Sequence, residues 1–416
     1  MKTKTLVPLL LLMLATPTWC HSQEPAPLSL QDCIDIALEK NPLVLSAAEY
    51  YTASLARIKQ ATALPQPVFA YDSDLQPGFF DFRHAFESYT GLIFAFDFPT
   101  KIRDRGRIAR KESDEFLSDT EALKLEIIFS VKEAFYGLLL AQEKRQYAEN
   151  NLELAEDFAN KTELKFEAGE VARVEALRAR VEASGAMNFV REATNDVRLA
   201  RALLNFHLAK RDFEPIEVTG ELKAPPMTLD LDALKEMAYS SRPEVKAIQI
   251  ALEREGIARS LAYQSYVPDF EIGISRHRIE GEPSTWDVTF ALPVPLFFWQ
   301  PKQGAIAEAQ ANIRALEREV QHIENSVSLE VEQAYREAVT AKNQIELFET
   351  DILAQAEEVY NMFLFSYQEG EIGGIELIAA RRTLMEARRS YADALFGYSV
   401  ALAAVQKAIG QGVGGN

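Results

Sequence analysis

The distribution of proline divides this chain of 416 residues into alternating blocks. Nine of its 18 prolines lie in the first 99 residues, and the other nine lie between Pro215 and Pro301. Each block is followed by 115 residues without proline, at 100–214 and at 302–416. Because a proline inside a helix costs about 3 kcal/mol or more, such tracts favour very long helices. Two equal tracts indicate a unit of about 200 residues that occurs twice.

Short segments repeat at a constant offset and support this duplication. Ala37–Val44 reads ALEKNPLV, and Ala238–Val245, which lies 201 residues later, reads AYSSRPEV. Phe166–Val171 reads FEAGEV, and at the same offset Tyr367–Ile372 reads YQEGEI. We therefore expect both halves to contain the same elements in the same order.

After a predicted signal peptide at 1–22, we predict a first repeat at 23–220 and a second at 221–416. The expected fold class is mainly α with a small β part, and each repeat contains one moderate helix, two strands and two long helices joined at a glycine. The predicted helices are 29–63, 101–166, 171–210, 229–265, 302–366 and 374–408, and the predicted strands are Val68–Asp74, Gly91–Phe98, Phe270–Arg276 and Trp286–Leu292.

The first long helix of each repeat has apolar residues at heptad spacing, which is typical of coiled coils. In the second repeat this seam runs from Ile306 to Phe363 in steps of three and four residues. The 66 residues at 101–166 would form a helix about 100 Å long, which exceeds a globular core. The pattern leaves open a solid coiled-coil rod and the wall of a channel.

The first 22 residues have the pattern of a secretory signal. Lys2 and Lys4 precede an apolar run at Leu6–Ala15, which is too short to span a bilayer. Cys20 lies near the expected cleavage site, and whether it carries lipid is left open. No later stretch of 18 apolar residues occurs, so an exported chain that enters a membrane would have to use strands.

Charge and motifs argue against several function classes. A net charge of −18 does not suit nucleic acid, leaves a cationic cargo open, and is equally explained by solubility. The sequence lacks a nucleophile elbow, a phosphate-binding loop, a dinucleotide motif and histidines at helical metal spacing, so we predict no enzyme activity, cofactor or metal site. His84 and His277 are placed in or beside two polar loops, at 75–87 and 277–284. A hydrolase that uses helical carboxylates is a minor alternative.

The predicted strands favour a membrane barrel shared between copies. Four strands cannot enclose a passage, and unpaired edge amides in lipid cost several kcal/mol each. Three copies would supply twelve strands, an even number that suits an outer-membrane barrel. The outward residues would be aromatic or aliphatic: Leu92, Phe94, Phe96, Phe98, Phe270, Ile272, Ile274, Trp286, Val288, Phe290 and Leu292. The alternative is a periplasmic coiled-coil scaffold or adaptor without a channel.

Three segments carry a resemblance to a known family: LSLQDCIDIALEKNP at Leu28–Pro42, KFEAGEV at Lys165–Val171 and SYQEGEIGGIEL at Ser366–Leu377. Together with the duplication, they resemble the TolC-type outer-membrane efflux family, and within it the heavy-metal efflux members of the CzcC and CusC type. The resemblance implies a homotrimer with a β-barrel in the outer membrane and an α-helical barrel in the periplasm. It also implies docking to a periplasmic adaptor and an inner-membrane pump, which supplies the energy.

The resemblance also implies site residues. The helix–glycine–helix turns would form the adaptor-docking tips, with the candidates Glu167, Gly169, Glu170, Val171, Glu369, Gly370, Glu371 and Ile372. The family narrows its channel with acidic residues just after the second turn, and Glu376 occupies the first such position, with Glu175 as its counterpart. The next family position is Ala379, which puts a double acidic gate in doubt. Simple helix caps and solvated helix faces are the plainer interpretations.

Overall fold

The structure is a computed structural model that describes residues 27–74, 78–79, 85–210, 216–226, 230–294 and 301–411. The predicted signal peptide, with Cys20, lies outside these ranges. So do most of the predicted loop 75–87 and His84. The predicted fold class is confirmed: long helices dominate, and four strands form one small sheet.

The two halves of the chain contain the same elements in the same order. The first half contains α1 (Leu30–Lys40), α2 (Pro42–Ala61), β1 (Val68–Asp74), β2 (Glu87–Phe96), α3 (Pro99–Glu167) and α4 (Arg173–His207). The second half contains α5 (Leu231–Ser241), α6 (Pro243–Gln264), β3 (Phe270–Ile279), β4 (Thr285–Ala291), α7 (Pro301–Leu347), a π-helical turn (Phe348–Ile352), α8 (Leu353–Gln368) and α9 (Gly374–Ala408).

The prediction of a single moderate helix in each half is wrong, because two shorter helices occupy each of these segments. The predicted helix 29–63 breaks at Asn41, and the predicted helix 229–265 breaks at Arg242. These residues have extended ψ values of 124° and 126°, and each precedes a proline at the first position of the next helix. Proline disfavours the helical region for the residue before it, and its missing N–H does no harm at a helix start.

Both breaks are fastened to the end of the last helix of the same half. The Asn41 side-chain amide donates to the carbonyl oxygen of His207 at 3.2 Å. The Arg242 guanidinium donates to the carbonyl oxygen of Ala408 at 3.3 Å. His207 and Ala408 end α4 and α9, where the final carbonyls have no partner within the helix. The halves therefore repeat one tertiary contact with different side chains.

The long helices differ between the halves. α3 is one continuous helix of 69 residues, about 100 Å long. In the second half a five-residue π turn separates α7 from α8. A π turn fits one additional residue into a helical turn, and this one adjoins an extra four-residue step of the predicted heptad seam, from Ile352 to Ala356. The seam residues Val331 and Ala338 are fully buried, as the heptad pattern predicts.

The four strands form an antiparallel sheet in the order β1-β2-β3-β4. β1 spans the predicted residues. The β1–β2 and β3–β4 connections lie at one end of the sheet, and the helices adjoin the other end. β3 continues through Ile279, so the predicted loop 277–284 is shorter than expected and His277 belongs to the strand. The pairing of β2 with β3 includes His277, which lies opposite Tyr89, and it continues to Ile279 opposite Glu87.

Each half has its own apolar core where its short helices pack on its long ones. In the first half, Cys33 of α1 packs with Leu138 of α3 and Leu204 of α4. In the second half, Leu234 of α5 packs with Val331 of α7 and residues of α9. Among the described helices, none combines the length and apolar character needed to cross a bilayer.

Candidate functional site

Both long hairpins turn through a glycine with left-handed backbone. Gly169 has φ 79° and Gly370 has φ 78°, values that side chains other than glycine rarely adopt. After each glycine, the next N–H donates back across the turn, from Glu170 to Lys165 and from Glu371 to Ser366, both at 2.9 Å. This is the Schellman motif, which satisfies the last carbonyls of α3 and α8. The turns therefore lie where the two glycines predict them.

The predicted docking residues lie on these turns, and their carboxylates face solvent. The exposed acidic residues are Glu167, Glu170, Glu369 and Glu371, and the half-buried apolar ones are Val171 and Ile372. Among the described residues, none of these four carboxylates forms an ion pair, although Ser366 hydrogen-bonds to Glu371 at 3.3 Å. The tips thus present negative charge around a small apolar centre.

The two tips pack against each other within one chain. The ring of Tyr367 on α8 lies 5.4 Å from that of Phe158 on α3, and the Lys165 ammonium lies 4.9 Å from the Tyr367 ring centre. Gly374, the first residue of α9, is buried, and a Cβ built there would lie 2.8 Å from Phe158 Cζ. Glycine at this position therefore permits close approach of the second hairpin to the first.

The two predicted gate residues occupy equivalent positions. Glu175 is the third residue of α4, and Glu376 is the third residue of α9. The N-caps Ala172 and Gly373 provide no side-chain hydrogen bond, so the nearby carboxylates face the positive end of each helix dipole. Glu376 is exposed, Glu175 is half-buried, and neither has an ion-pair partner among the described residues. Ala379 is also exposed and carries no charge.

A group of three charged residues, which we call the hairpin link, joins α4 to α9. Glu182 accepts hydrogen bonds from Arg381 and from Arg382, each at 3.2 Å, and Arg382 makes a second contact with the same carboxylate. Arg381 is almost fully buried. Burial acts to raise the pKa of Glu182, but hydrogen bonds and charge from the two arginines outweigh it and lower the pKa below its ordinary value of 4.5.

A cleft of about 1020 Å³ lies beside the hairpin link. Its walls come from α3, α4, the π turn and α9, and both Glu182 and Arg382 line it. The first hairpin (α3 and α4) and the second hairpin (α7 to α9) are therefore separated here by open space and connected across it by charge. Because the hairpin link consists of charged side chains beside open space, it can break without exposing an apolar core.

One face of the sheet is continuously apolar near the helices. The register aligns Phe69 with Leu92, Leu92 with Ile274, and Ile274 with Val288, so these side chains share a face. The other members of this apolar face are Tyr71, Phe94, Phe96, Phe270, Ile272, Trp286 and Phe290. Of the residues predicted to point outward, all those that lie within an observed strand are on this face. The register therefore confirms the predicted alternation.

The opposite face of the sheet, which we call the acidic face, carries acidic and small residues together with Val68, Tyr89, Ile93 and Ile279. Its carboxylates are Asp72, Asp74, Glu87, Glu271 and Asp287. In the part of the sheet that the structure describes, this face has no lysine or arginine. The separation of charge and apolar area is the arrangement expected of a sheet between lipid and water.

His277, predicted in or beside the loop 277–284, lies on the acidic face, in the part of β3 that adjoins this loop. Its Nε2 is 2.7 Å from a Glu87 oxygen, its Nδ1 is 3.6 Å from an Asp287 oxygen, and its ring stacks on Tyr89 at 4.2 Å. Within the described ranges, no group of three or more histidine, cysteine, aspartate or glutamate residues is arranged to hold a metal ion.

Sequence reasoning found the turns but missed the hairpin link and the acidic face. Four of the five carboxylates, Asp72, Asp74, Glu271 and Asp287, lie on predicted strands, so counting charge at every second residue would have found most of the acidic face. Glu87 falls in the predicted loop 75–87 and becomes part of β2 in the structure. The hairpin link joins residues about 200 positions apart, and no local spacing indicates it.

Comparisons with known proteins agree with this geometry. The family model described as Outer membrane efflux protein matches residues 33–209 and 234–411, one match in each half. The chain is 24% identical over 383 residues to the cobalt-zinc-cadmium resistance protein CzcC of Cupriavidus metallidurans, a match that covers 89% of this chain and 87% of CzcC.

Two solved channel structures have the same fold. A structure of CusC superposes with a TM-score of 0.78 at 16% identity and covers 92% of both chains. The open-state MtrE outer membrane channel of Neisseria gonorrhoeae superposes with a TM-score of 0.78 at 18% identity, and covers 92% of this chain and 89% of MtrE. The resemblance to TolC-type and CzcC- or CusC-like proteins is thus confirmed. The chain belongs to the outer membrane efflux protein family.

Proposed function

We propose that three copies of this chain form a passive efflux duct in the outer membrane that extends into the periplasm. The observation that carries this proposal is the four-stranded sheet with one apolar and one acidic face. In lipid, the open edges at β1 and β4 would leave backbone amides unpaired at several kcal/mol each. Edge-to-edge pairing of three sheets closes a twelve-stranded barrel with its apolar face toward lipid and its acidic face toward water.

The cargo that best fits this lumen is cationic, and we propose metal cations. Three copies of the acidic face place fifteen carboxylates around one passage, from the five in each chain. Fixed negative charge of this density concentrates cations and repels anions. CzcC, the relative described above, is named as a cobalt-zinc-cadmium resistance protein, which agrees with this assignment.

The hairpin tips are the proposed docking surface for a periplasmic adaptor, which connects the duct to an inner-membrane pump. The exposed carboxylates at both turns favour a partner with basic side chains, and the half-buried Val171 and Ile372 offer a small apolar contact. Energy for export comes from the pump, and the chain itself acts as a conduit without a cofactor or a catalytic role.

We further propose that the hairpin link and Glu376 control passage at the periplasmic end. The link holds the second hairpin against the first, and its loss would let the hairpins separate. Glu376 lies about one and a half helical turns before Arg381, and three copies around one axis would set a ring of negative charge.

Ion-selectivity measurement in planar bilayers tests the duct. The purified protein is expected to form conducting pores whose reversal potential in a KCl gradient shows preference for K⁺ over Cl⁻. The variant Asp72→Asn/Asp287→Asn should lower that preference because it removes six of the fifteen lumen carboxylates. Protein that forms no pores and remains in the soluble periplasmic fraction would instead support the scaffold interpretation.

A further inference from the structure

Two arginines lie on the apolar face of the sheet, at the end far from the helices. Arg276 and Arg278 follow Phe270, Ile272 and Ile274 at every second position of β3, so all five residues share that face. Arg276 pairs with Trp286 on β4, the last aromatic residue of the apolar face at this end. The arginines therefore begin where the apolar band stops.

Among the residues that the structure describes, neither arginine has a charge partner. Both are exposed, and within the described ranges neither forms an ion pair, even with Glu280 or Glu282 of the adjacent turn. The Arg276 guanidinium donates a 3.4 Å hydrogen bond to the Ser284 hydroxyl. The sheet carboxylates lie on the opposite face, so the sheet separates its charges by sign.

Hydroxyl groups lie directly across from these guanidinium groups. Thr90 on β2 pairs with Arg276, and Ser88 pairs with Arg278. Arg276 and Arg278 are two residues apart on one strand, about 7 Å along it. We call these four residues the outer arginine patch. It is a row of hydrogen-bond donors with two positive charges.

From this placement we propose that the outer arginine patch binds the phosphate groups of the lipid that forms the outer leaflet of the outer membrane. The inference rests on the proposed trimeric barrel, which turns the apolar face toward lipid. With the apolar band in the hydrocarbon, the strand end beyond Trp286 lies at headgroup level, where aromatic and basic side chains concentrate.

The chemistry of arginine suits this ligand. A guanidinium group presents a planar fork of N–H donors that matches two phosphate oxygens, and it retains its charge at any relevant pH. A phosphate group at this depth would meet two such forks and two hydroxyls, and it would displace no carboxylate of the described residues. The trimer presents three patches around its rim, so the lipids bound there would surround the barrel.

The test is a lipid titration of the detergent-solubilised protein, with native mass spectrometry as the readout. The probes are bisphosphorylated lipid A, the same lipid A after removal of its phosphates, and inorganic phosphate. We expect Arg276→Gln/Arg278→Gln to weaken binding of bisphosphorylated lipid A by about 25-fold, since each basic residue at a charged lipid surface contributes roughly a factor of five. Arg276→Lys/Arg278→Lys should retain part of the affinity.

The control variant is Arg191→Gln/Arg198→Gln, which removes two exposed arginines of α4 and should leave lipid binding unchanged. Equal binding by the parent and the Arg276→Gln/Arg278→Gln variant would overturn the proposal. So would equal binding of lipid A with and without phosphate, or equal affinity for inorganic phosphate. A shift in reversal potential with lipid binding unchanged would place the arginines in the lumen and also overturn it.

Trimer mass and conductance, measured on the same samples, keep this test separate from the proposed function. A conducting trimer whose lipid A binding does not depend on Arg276 and Arg278 contradicts the lipid site alone. A chain that forms no trimer, yet binds lipid A through both arginines, contradicts the barrel and retains the phosphate site.

Discussion

The two halves of the chain have the same backbone plan but different side chains, and the largest difference between them lies in their long hairpins. In the first half, Asn41 fastens the short helices to α4, and α3 runs without a break. In the second half, the buried Arg242 performs this task through a larger network, and a π turn interrupts the long helix. The second half also contributes both arginines of the hairpin link.

This difference suggests a division of roles between the hairpins. The first hairpin is the continuous frame. Beside the cleft the second hairpin is held to it by the charged hairpin link, and nearer the tips by the packing of Tyr367 and Gly374 against Phe158. Irregular helical turns often occur at functional positions, and a π turn beside the cleft provides a point where the second hairpin can bend. Substitutions at equivalent positions of the two halves should therefore have unequal effects.

The largest expected effect concerns the two fastening residues. Arg242→Ala removes hydrogen bonds to Glu244, Glu330 and the Ala408 carbonyl, so we expect a loss of about 2–4 kcal/mol in the free energy of unfolding. Asn41→Ala loses a helix cap and one tertiary bond, which should cost about 1–2 kcal/mol. Urea unfolding followed by circular dichroism measures both. Equal losses would contradict the asymmetry.

The next effect concerns the hairpin link. Glu182→Gln removes the negative charge that Arg381 and Arg382 share. It should shift the equilibrium between packed and separated hairpins about tenfold toward the separated state. We expect this shift to appear as higher channel conductance in planar bilayers. The matched control is Glu163→Gln, because Glu163 pairs with Arg180 inside the first hairpin at 3.2 Å. Conductance that rises equally in both variants would rule out a specific role for the link.

The hairpin link also gives a pH dependence with a defined sign. The pKa of Glu182 is lower in the folded protein than its ordinary value of 4.5, so the link contributes its full stability above about pH 4.5. That stability is lost as the pH falls through the lowered pKa. Conductance of the parent should therefore rise only in strong acid, and Glu182→Gln should abolish this rise. A rise centred near pH 6 would point to a different group.

A smaller effect is expected at the predicted gate. Glu376→Ala should reduce the preference for cations about twofold, because it removes one ring of three charges from a lumen that retains many others. Glu175→Ala should have less effect, since Glu175 is half-buried on the first hairpin. Reversal potentials of both variants provide the measurement. If neither variant differs from the parent, Glu376 is only a surface residue.

Much of the fold follows from local rules that a sequence displays. Proline-free tracts gave the long helices, and period-two alternation gave β1 at its observed residues. The glycine turns followed from the need for positive φ at Gly169 and Gly370. The breaks at Asn41 and Arg242 were missed because apolar periodicity continues through them, although the prolines that follow mark both positions.

The site was less predictable because its groups meet across the fold. Glu182 meets Arg381 and Arg382 only when the two hairpins pack side by side, and His277 reaches Glu87 only through the pairing of β2 with β3. The position of Arg276 and Arg278 at the end of the apolar band also depends on strand register, and a slip of one residue would move both to the acidic face.

The central claim is that three chains share one barrel, and the most direct test is the mass of the detergent-extracted protein by light scattering with the detergent contribution subtracted. We predict three times the chain mass of 46.7 kDa, less the predicted signal peptide, in protein recovered from the outer-membrane fraction. A monomer, a dimer, or protein found only in the soluble periplasm would contradict the twelve-stranded closure.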